Sequence, residues 1–154
     1  MGVAGVGKST VGAELSQQLR TSFVDADVFH SDASRAKMAA GIPLNDADRA
    51  PWLDEVGSVL STSSNLVVAC SALKRSYRDQ LRKWAPDLFT VHLTSSKELL
   101  MERLATREGH FAGANLLPSQ LETLELLSAD EDGIEMSADA DLEAIVERIT
   151  SLVV

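Results

Sequence analysis

The chain has 154 residues, 45% hydrophobic and 24% charged, with 23 acidic against 14 basic side chains and a net charge of -9. That length suits one domain with a sizeable core, and the acidic balance argues against a general binder of nucleic acid or anionic membrane, so any anion site must be a local cluster of basic groups. Cys70 stands alone and excludes an internal disulfide, and no apolar run reaches the roughly 20 residues of a membrane span, so the expectation is a soluble cytoplasmic protein.

The first element carries the most specific motif. Residues 2–9 read G-V-A-G-V-G-K-S and fit G-x-x-x-x-G-K-[ST] at every fixed position, the sequence form of a phosphate-binding P-loop. Gly2, Gly5 and Gly7 permit positive φ and a close approach of backbone to phosphate. Lys8 is placed to reach the β- and γ-phosphates, Ser9 to hold Mg²⁺ and Thr10 to touch the α-phosphate. Val11, Leu15 and Leu19 follow at helical spacing, so the loop opens a helix whose positive dipole end adds to the cradle. Only Met1 precedes the loop in this sequence, whereas a P-loop normally hangs from the central strand of its sheet. The expectation is a gap at the middle of the sheet, flanked by two exposed strand edges. A start assigned too late is the simplest origin of such a gap; a strand from a neighbouring chain is the other.

Further along, SFVDAD reads as a short strand ending in two carboxylates, and SRAKMAAG as a short helix closed by Gly41. PWLDEVGSVL reads as a helix with Pro51 in its first turn. NLVVACS is a continuous apolar run, as in a buried parallel strand. ALKRSYRDQLRKW is a helix, LFTVHLTS a strand and SKELLMERLATRE a helix. GHFAGANLLP, with two glycines, an asparagine and a proline, reads as a mobile loop. SQLETLELL is helical, GIEMS a weak strand and DLEAIVERITSLVV a closing helix. This alternation, with no linker or repeat, predicts one α/β domain with a parallel sheet.

Four clusters suggest a second substrate beside the nucleotide. Asp25 and Asp27 are two apart at a strand end and project to one side, where one carboxylate can order the waters of Mg²⁺ and the other accept a proton from an attacking hydroxyl. His30 follows closely, as a substrate contact or an ordinary surface histidine. Arg49 can clamp a carboxylate or simply pair with Asp46 or Asp48. Lys74 lies at a helix start, where the macrodipole disfavours a cation, which suggests an anionic ligand. Arg103 and Arg107, four apart on a helix, repel unless both face phosphates. No Walker-B strand and no N-K-x-D guanine motif is present, so the pattern points to a small-molecule kinase that positions two substrates and excludes water.

GVAGVGKST, VDADVFH, KMAAGIPLNDADRAPWL, ACSALKRSYRDQLR and REGHF followed by SQLETLE closely resemble the small bacterial-type gluconokinases over residues 2–125, and more weakly beyond. The resemblance implies a shikimate-kinase-like P-loop fold: a five-stranded parallel sheet flanked by helices, its first strand missing here, with a small lid at about residues 107–118. It implies phosphorylation of D-gluconate on its 6-hydroxyl with ATP and Mg²⁺, commonly in a homodimer. Carried over by position, Gly5, Val6, Gly7, Lys8, Ser9 and Thr10 hold the ATP phosphates, and Asp27 stands near the sugar-acid hydroxyl. Arg49 and Lys74 suit the gluconate carboxylate and polyol, and His30 a polyol contact. Ser9 and Asp25 are the metal candidates; Arg103 and Arg107 resemble the lid arginines. FAGANLL is smaller and more apolar than the family's usual lid, which implies altered lid kinetics. The alternatives are a kinase of another small polyol or ring acid, such as shikimate, and an inactive nucleotide-binding protein.

Overall fold

The structure, a computed structural model, describes residues 1–63, 65–106 and 111–154. Helix α1 (Lys8–Leu19) follows the P-loop, then β1 (Ser22–Asp25), a 3₁₀ turn (Ala26–Phe29), α2 (Asp32–Ala39), α3 (Asp46–Ser61) and β2 (Leu66–Ala69). The chain continues through α4 (Arg75–Trp84), β3 (Thr90–Thr94), α5 (Lys97–Thr106), α6 (Phe111–Thr123), β4 (Gly133–Ser137) and α7 (Leu142–Val153).

The strands form two parallel pairs, not one continuous five-stranded sheet. β1 pairs with β2 in the register Ser22↔Leu66 to Asp25↔Ala69, and β3 with β4 from Thr90↔Gly133 to Thr94↔Ser137. Residues 1–3 stand between the pairs. The Met1 amine donates to the Val91 carbonyl, Leu93 N–H donates to Met1 O at 3.0 Å and Gly2 N–H to Ser71 O at 3.2 Å. Below this bridge a cleft of about 830 Å³ runs past Val67, Ala69, Phe89 and Val91. It is the expected gap, lined by the facing edges of β2 and β3. The Met1 amine is buried beside it, and desolvation, aided by Lys8, lowers its pKa to about 5.

Apolar side chains condense on the two faces of the strands, Val67 of β2 packing on one and Val68 on the other. One cluster gathers Val3, Val6, Leu93, Leu100, Leu117 and Ile149. The other gathers Ala26, Trp52, Leu53, Val56, Tyr77 and Leu81. A buried ion pair braces the second: Arg78 Nε donates to Glu131 Oε1 at 2.6 Å, and both side chains are almost wholly enclosed. The Arg78 hydrogen bonds hold the Glu131 carboxyl at about 2, and Ser128 N–H and Arg82 add to the effect.

Two helices depart from the sequence reading. α3 begins at Asp46, not at Pro51, because Asn45 and Asp48 form a reciprocal capping box that starts the helix earlier. Pro51 therefore lies inside the helix. The segment read as a loop is helical from Phe111 onward and carries Pro118 within α6. Burial of Leu116 and Leu117 outweighs the breaking tendency of Gly113 and Pro118. Residues 107–110, including Arg107, lie outside the described residues.

Candidate active site

The P-loop takes the backbone that its glycines permit. Gly5 and Gly7 have φ of 80° and 100°, and Gly7 is the left-handed N-cap of α1. A Cβ on Gly7 would meet nothing within 4 Å, so this position faces open space. A Cβ on Gly5 would approach Leu104 Cγ to 2.9 Å, so a side chain there would push the loop off α5. Lys8 Nζ donates to Val3 O at 2.9 Å, folding back over the loop. Ala4 N–H donates to Gln120 Oε1 at 2.7 Å. Gln120 thus pins the loop from α6, a role that no spacing in the chain reveals.

The loop opens into a cleft of about 700 Å³ that also receives Asp25, Asp27, His30, Arg49 and Arg103. Ser9 Oγ donates to Asp25 Oδ2 at 2.5 Å, which puts a hydroxyl and a carboxylate side by side at the first turn of α1. Asp25 Oδ1 also accepts from Asp27 N–H at 3.1 Å, capping the 3₁₀ turn. Asp27 remains exposed, with its Oδ1 3.7 Å from His30 Nε2. Trp52 holds this corner. Its indole N–H donates to Ala26 O at 2.8 Å, and its ring stacks on His30 with centroids 4.4 Å apart. His30 is buried, and its Nδ1 has no hydrogen-bond partner among the described residues. Desolvation lowers the His30 pKa although Asp27 opposes it, so the ring is neutral at pH 7.

Arg49 pairs with neither Asp46 nor Asp48. It is only 8% exposed, its Nε makes a long 3.4 Å bond to Leu44 O, and it forms no ion pair among the described residues. Asp48 is taken by Lys37 at 2.6 Å and by the capping box. Asp46 is taken by Lys74 at 2.8 Å and by the Tyr77 hydroxyl at 2.5 Å. A buried guanidinium without a carboxylate, facing a cleft, is stabilised by an incoming anion. Lys74 sits at the N-cap of α4, and the anion beside it is Asp46 of the same chain. It lines a shallow hollow next to the main cleft and not the cleft itself. Arg103 reaches the cleft, while its Nη2 donates to Ala138 O at 3.0 Å and lies 3.8 Å from Asp139.

The chain belongs to the shikimate kinase family of P-loop kinases, whose pattern residues 4–151 match. A gluconokinase of Gluconobacter oxydans (strain 621H) is 44% identical over 153 residues, spanning 97% of this chain and 86% of that protein. The thermoresistant gluconokinase of Escherichia coli (strain K12) is 41% identical over 151 residues, 95% of this chain and 86% of that one. The crystal structure of a gluconokinase from Sinorhizobium meliloti 1021 superposes with a TM-score of 0.89 at 42% identity, covering 98% of this chain and 87% of the other. Within the wider family, this chain is a member of the gluconokinases.

Proposed function

We propose that this chain phosphorylates D-gluconate at its 6-hydroxyl with ATP, by in-line phosphoryl transfer. One observation carries the reading: a P-loop and an unpaired, buried Arg49 open into the same cleft. The first suits a triphosphate and the second a small carboxylate.

The amides of Gly5, Val6, Gly7, Lys8, Ser9 and Thr10 cradle the phosphates at the positive end of α1. Lys8 transfers its ammonium from the Val3 carbonyl to the β- and γ-phosphates as nucleotide enters. The adjacent Ser9 hydroxyl and Asp25 carboxylate are hard oxygen donors and fit Mg²⁺, which takes one or two protein oxygens beside phosphates and water. A Mg²⁺ held by these two oxygens would supply charge neutralisation for the transferring phosphoryl group. Asp27, exposed at the strand end, accepts the proton of the 6-hydroxyl. The hydroxyl oxygen bonds to the γ-phosphorus, the bridging bond breaks and ADP leaves. Arg49 holds the gluconate carboxylate, with Lys74 in the adjoining hollow, and His30 offers its Nδ1, unpartnered among the described residues, to a polyol hydroxyl. Arg103, from α5, and Arg107, in a lid at about residues 107–118, stabilise charge on the moving phosphoryl group. The chain acts as a single domain in the cytoplasm, and the family resemblance supports a homodimer.

An ADP-release assay with Mg-ATP and D-gluconate, shikimate or no acceptor tests this directly. Turnover with gluconate alone is expected. Preference for shikimate would move the chain to its ring-acid relatives, and silence with both acceptors, with nucleotide still bound, would leave an inactive nucleotide-binding protein.

A further inference from the structure

Beside the main cleft lies a hollow whose wall includes Leu44, Asp46, Lys74 and Tyr77; Leu44 belongs to both. Tyr77 is central to it and only 5% exposed. Arg49 Cζ stands 5.6 Å from the Tyr77 ring centroid and Lys74 Nζ 5.5 Å from it, both within cation–π range. The Tyr77 hydroxyl donates to Asp46 Oδ1 at 2.5 Å, and Lys74 donates to both oxygens of the same carboxylate at 2.8 and 3.1 Å. One phenol therefore touches two cations through its ring and their shared carboxylate through its hydroxyl. Tyr77 itself is anchored in the core with Trp52, Leu53 and Leu81.

We propose that Tyr77 is a positioning residue for the acid end of the substrate: its ring sets where the Arg49 guanidinium stands, and its hydroxyl keeps Asp46 turned to Lys74. This rests on the reading that Arg49 receives the gluconate carboxylate. Three features of the arrangement support it. Arg49 is the cation of this group that faces the cleft, yet among the described residues it has no carboxylate and only one long hydrogen bond to fix it. An arginine so lightly tethered keeps its rotamer freedom unless a surface restrains it, and ordering a long side chain on binding lowers affinity. The Tyr77 face supplies that surface. Asp46, for its part, lies close enough to feel the Arg49 charge and could swing onto it and compete with the substrate. The phenol and Lys74 together hold it in the hollow, and both hydrogen bonds lower its pKa, so it stays ionised and bound there.

The test compares Tyr77→Phe and Tyr77→Leu with the wild type. The readouts are KM for gluconate, KM for ATP, kcat, and inhibition by D-glucitol, which has the polyol chain without the carboxylate. For Tyr77→Leu, KM for gluconate is expected to rise about tenfold or more, with ATP KM and glucitol inhibition within about twofold. Tyr77→Phe keeps the ring and leaves Asp46 held by Lys74 alone, so a smaller rise in the same direction is expected. A merely structural tyrosine would shift both sugar ligands and ATP together, or lower only the melting temperature. If Tyr77→Leu does not fold, Tyr77→Phe alone decides. Unchanged gluconate KM in a folded variant, beside an active wild type, overturns the positioning role and leaves the kinase reading intact. A wild type that ignores gluconate would instead sink the kinase reading.

Discussion

Arg49 shows how a residue's surroundings reverse its plainest reading. Two aspartates lie within three positions of it, and surface pairing would be the ordinary outcome, but Lys37, Lys74 and Tyr77 occupy both carboxylates. Replacing Arg49 by methionine is expected to raise KM for gluconate about a hundredfold, the loss of a charge-assisted carboxylate contact. The same change removes an uncompensated buried cation, so the unliganded variant should be more stable, by about 1 kcal/mol, in urea titration. A destabilised variant with normal KM would contradict both expectations. His30 carries a pH signature. Its folded pKa is below the ordinary 6.5, so the unfolded chain takes up a proton that the folded chain resists. Stability from this group is present above 6.5 and declines as pH falls below it. His92, also lowered by burial, acts in the same sense. Melting temperatures from pH 7.5 to 5.5 should fall, and less so in His30→Gln.

Among the elements, β2 and β3 face each other across a cleft and do not pair. A three-residue bridge stands there, ending in a buried amine. Joining about five β-branched residues ahead of Met1 should pair both edges and turn that buried amine into a strand amide, raising the melting temperature by several degrees. An unchanged melting curve would mean that the cleft does not accept a strand. The Arg78–Glu131 pair ties α4 to the segment before β4. Its carboxyl is held at about 2 against an ordinary 4.5, so its stabilisation is complete above about 4.5 and is lost as pH falls towards 2. Urea midpoints between pH 5 and 3 should drop, and Glu131→Gln should be weakened already at neutral pH by about 3 kcal/mol, because Arg78 is left buried and unpaired.

Over the molecule as a whole, what the sequence disclosed and what it hid divide by range. The P-loop was legible because its chemistry is local: glycines, lysine and hydroxyl at fixed spacing, followed at once by a helical apolar stripe. The strands β1 to β4 were legible from short apolar runs, and the gap from the single residue before the loop. The start of α6 was not, because Gly113, Asn115 and Pro118 read as breakers, whereas burial of Leu116 and Leu117 depends on distant partners. Nor was the partner of Lys74, since Asp46 lies 28 positions away. Gln120 was invisible for the same reason, its bond spanning 116 positions to Ala4.

In the proposed mechanism one cleft joins a triphosphate cradle to a clamp for a sugar acid, so that the far end of the acid meets the γ-phosphate. The ³¹P NMR spectrum of the product formed from Mg-ATP and D-gluconate tests it most directly. A phosphomonoester signal coupled to two protons, those of the C6 methylene, places the phosphate on the primary 6-oxygen, the predicted result. A doublet, from an ester on a secondary carbon, or inorganic phosphate alone, would contradict it.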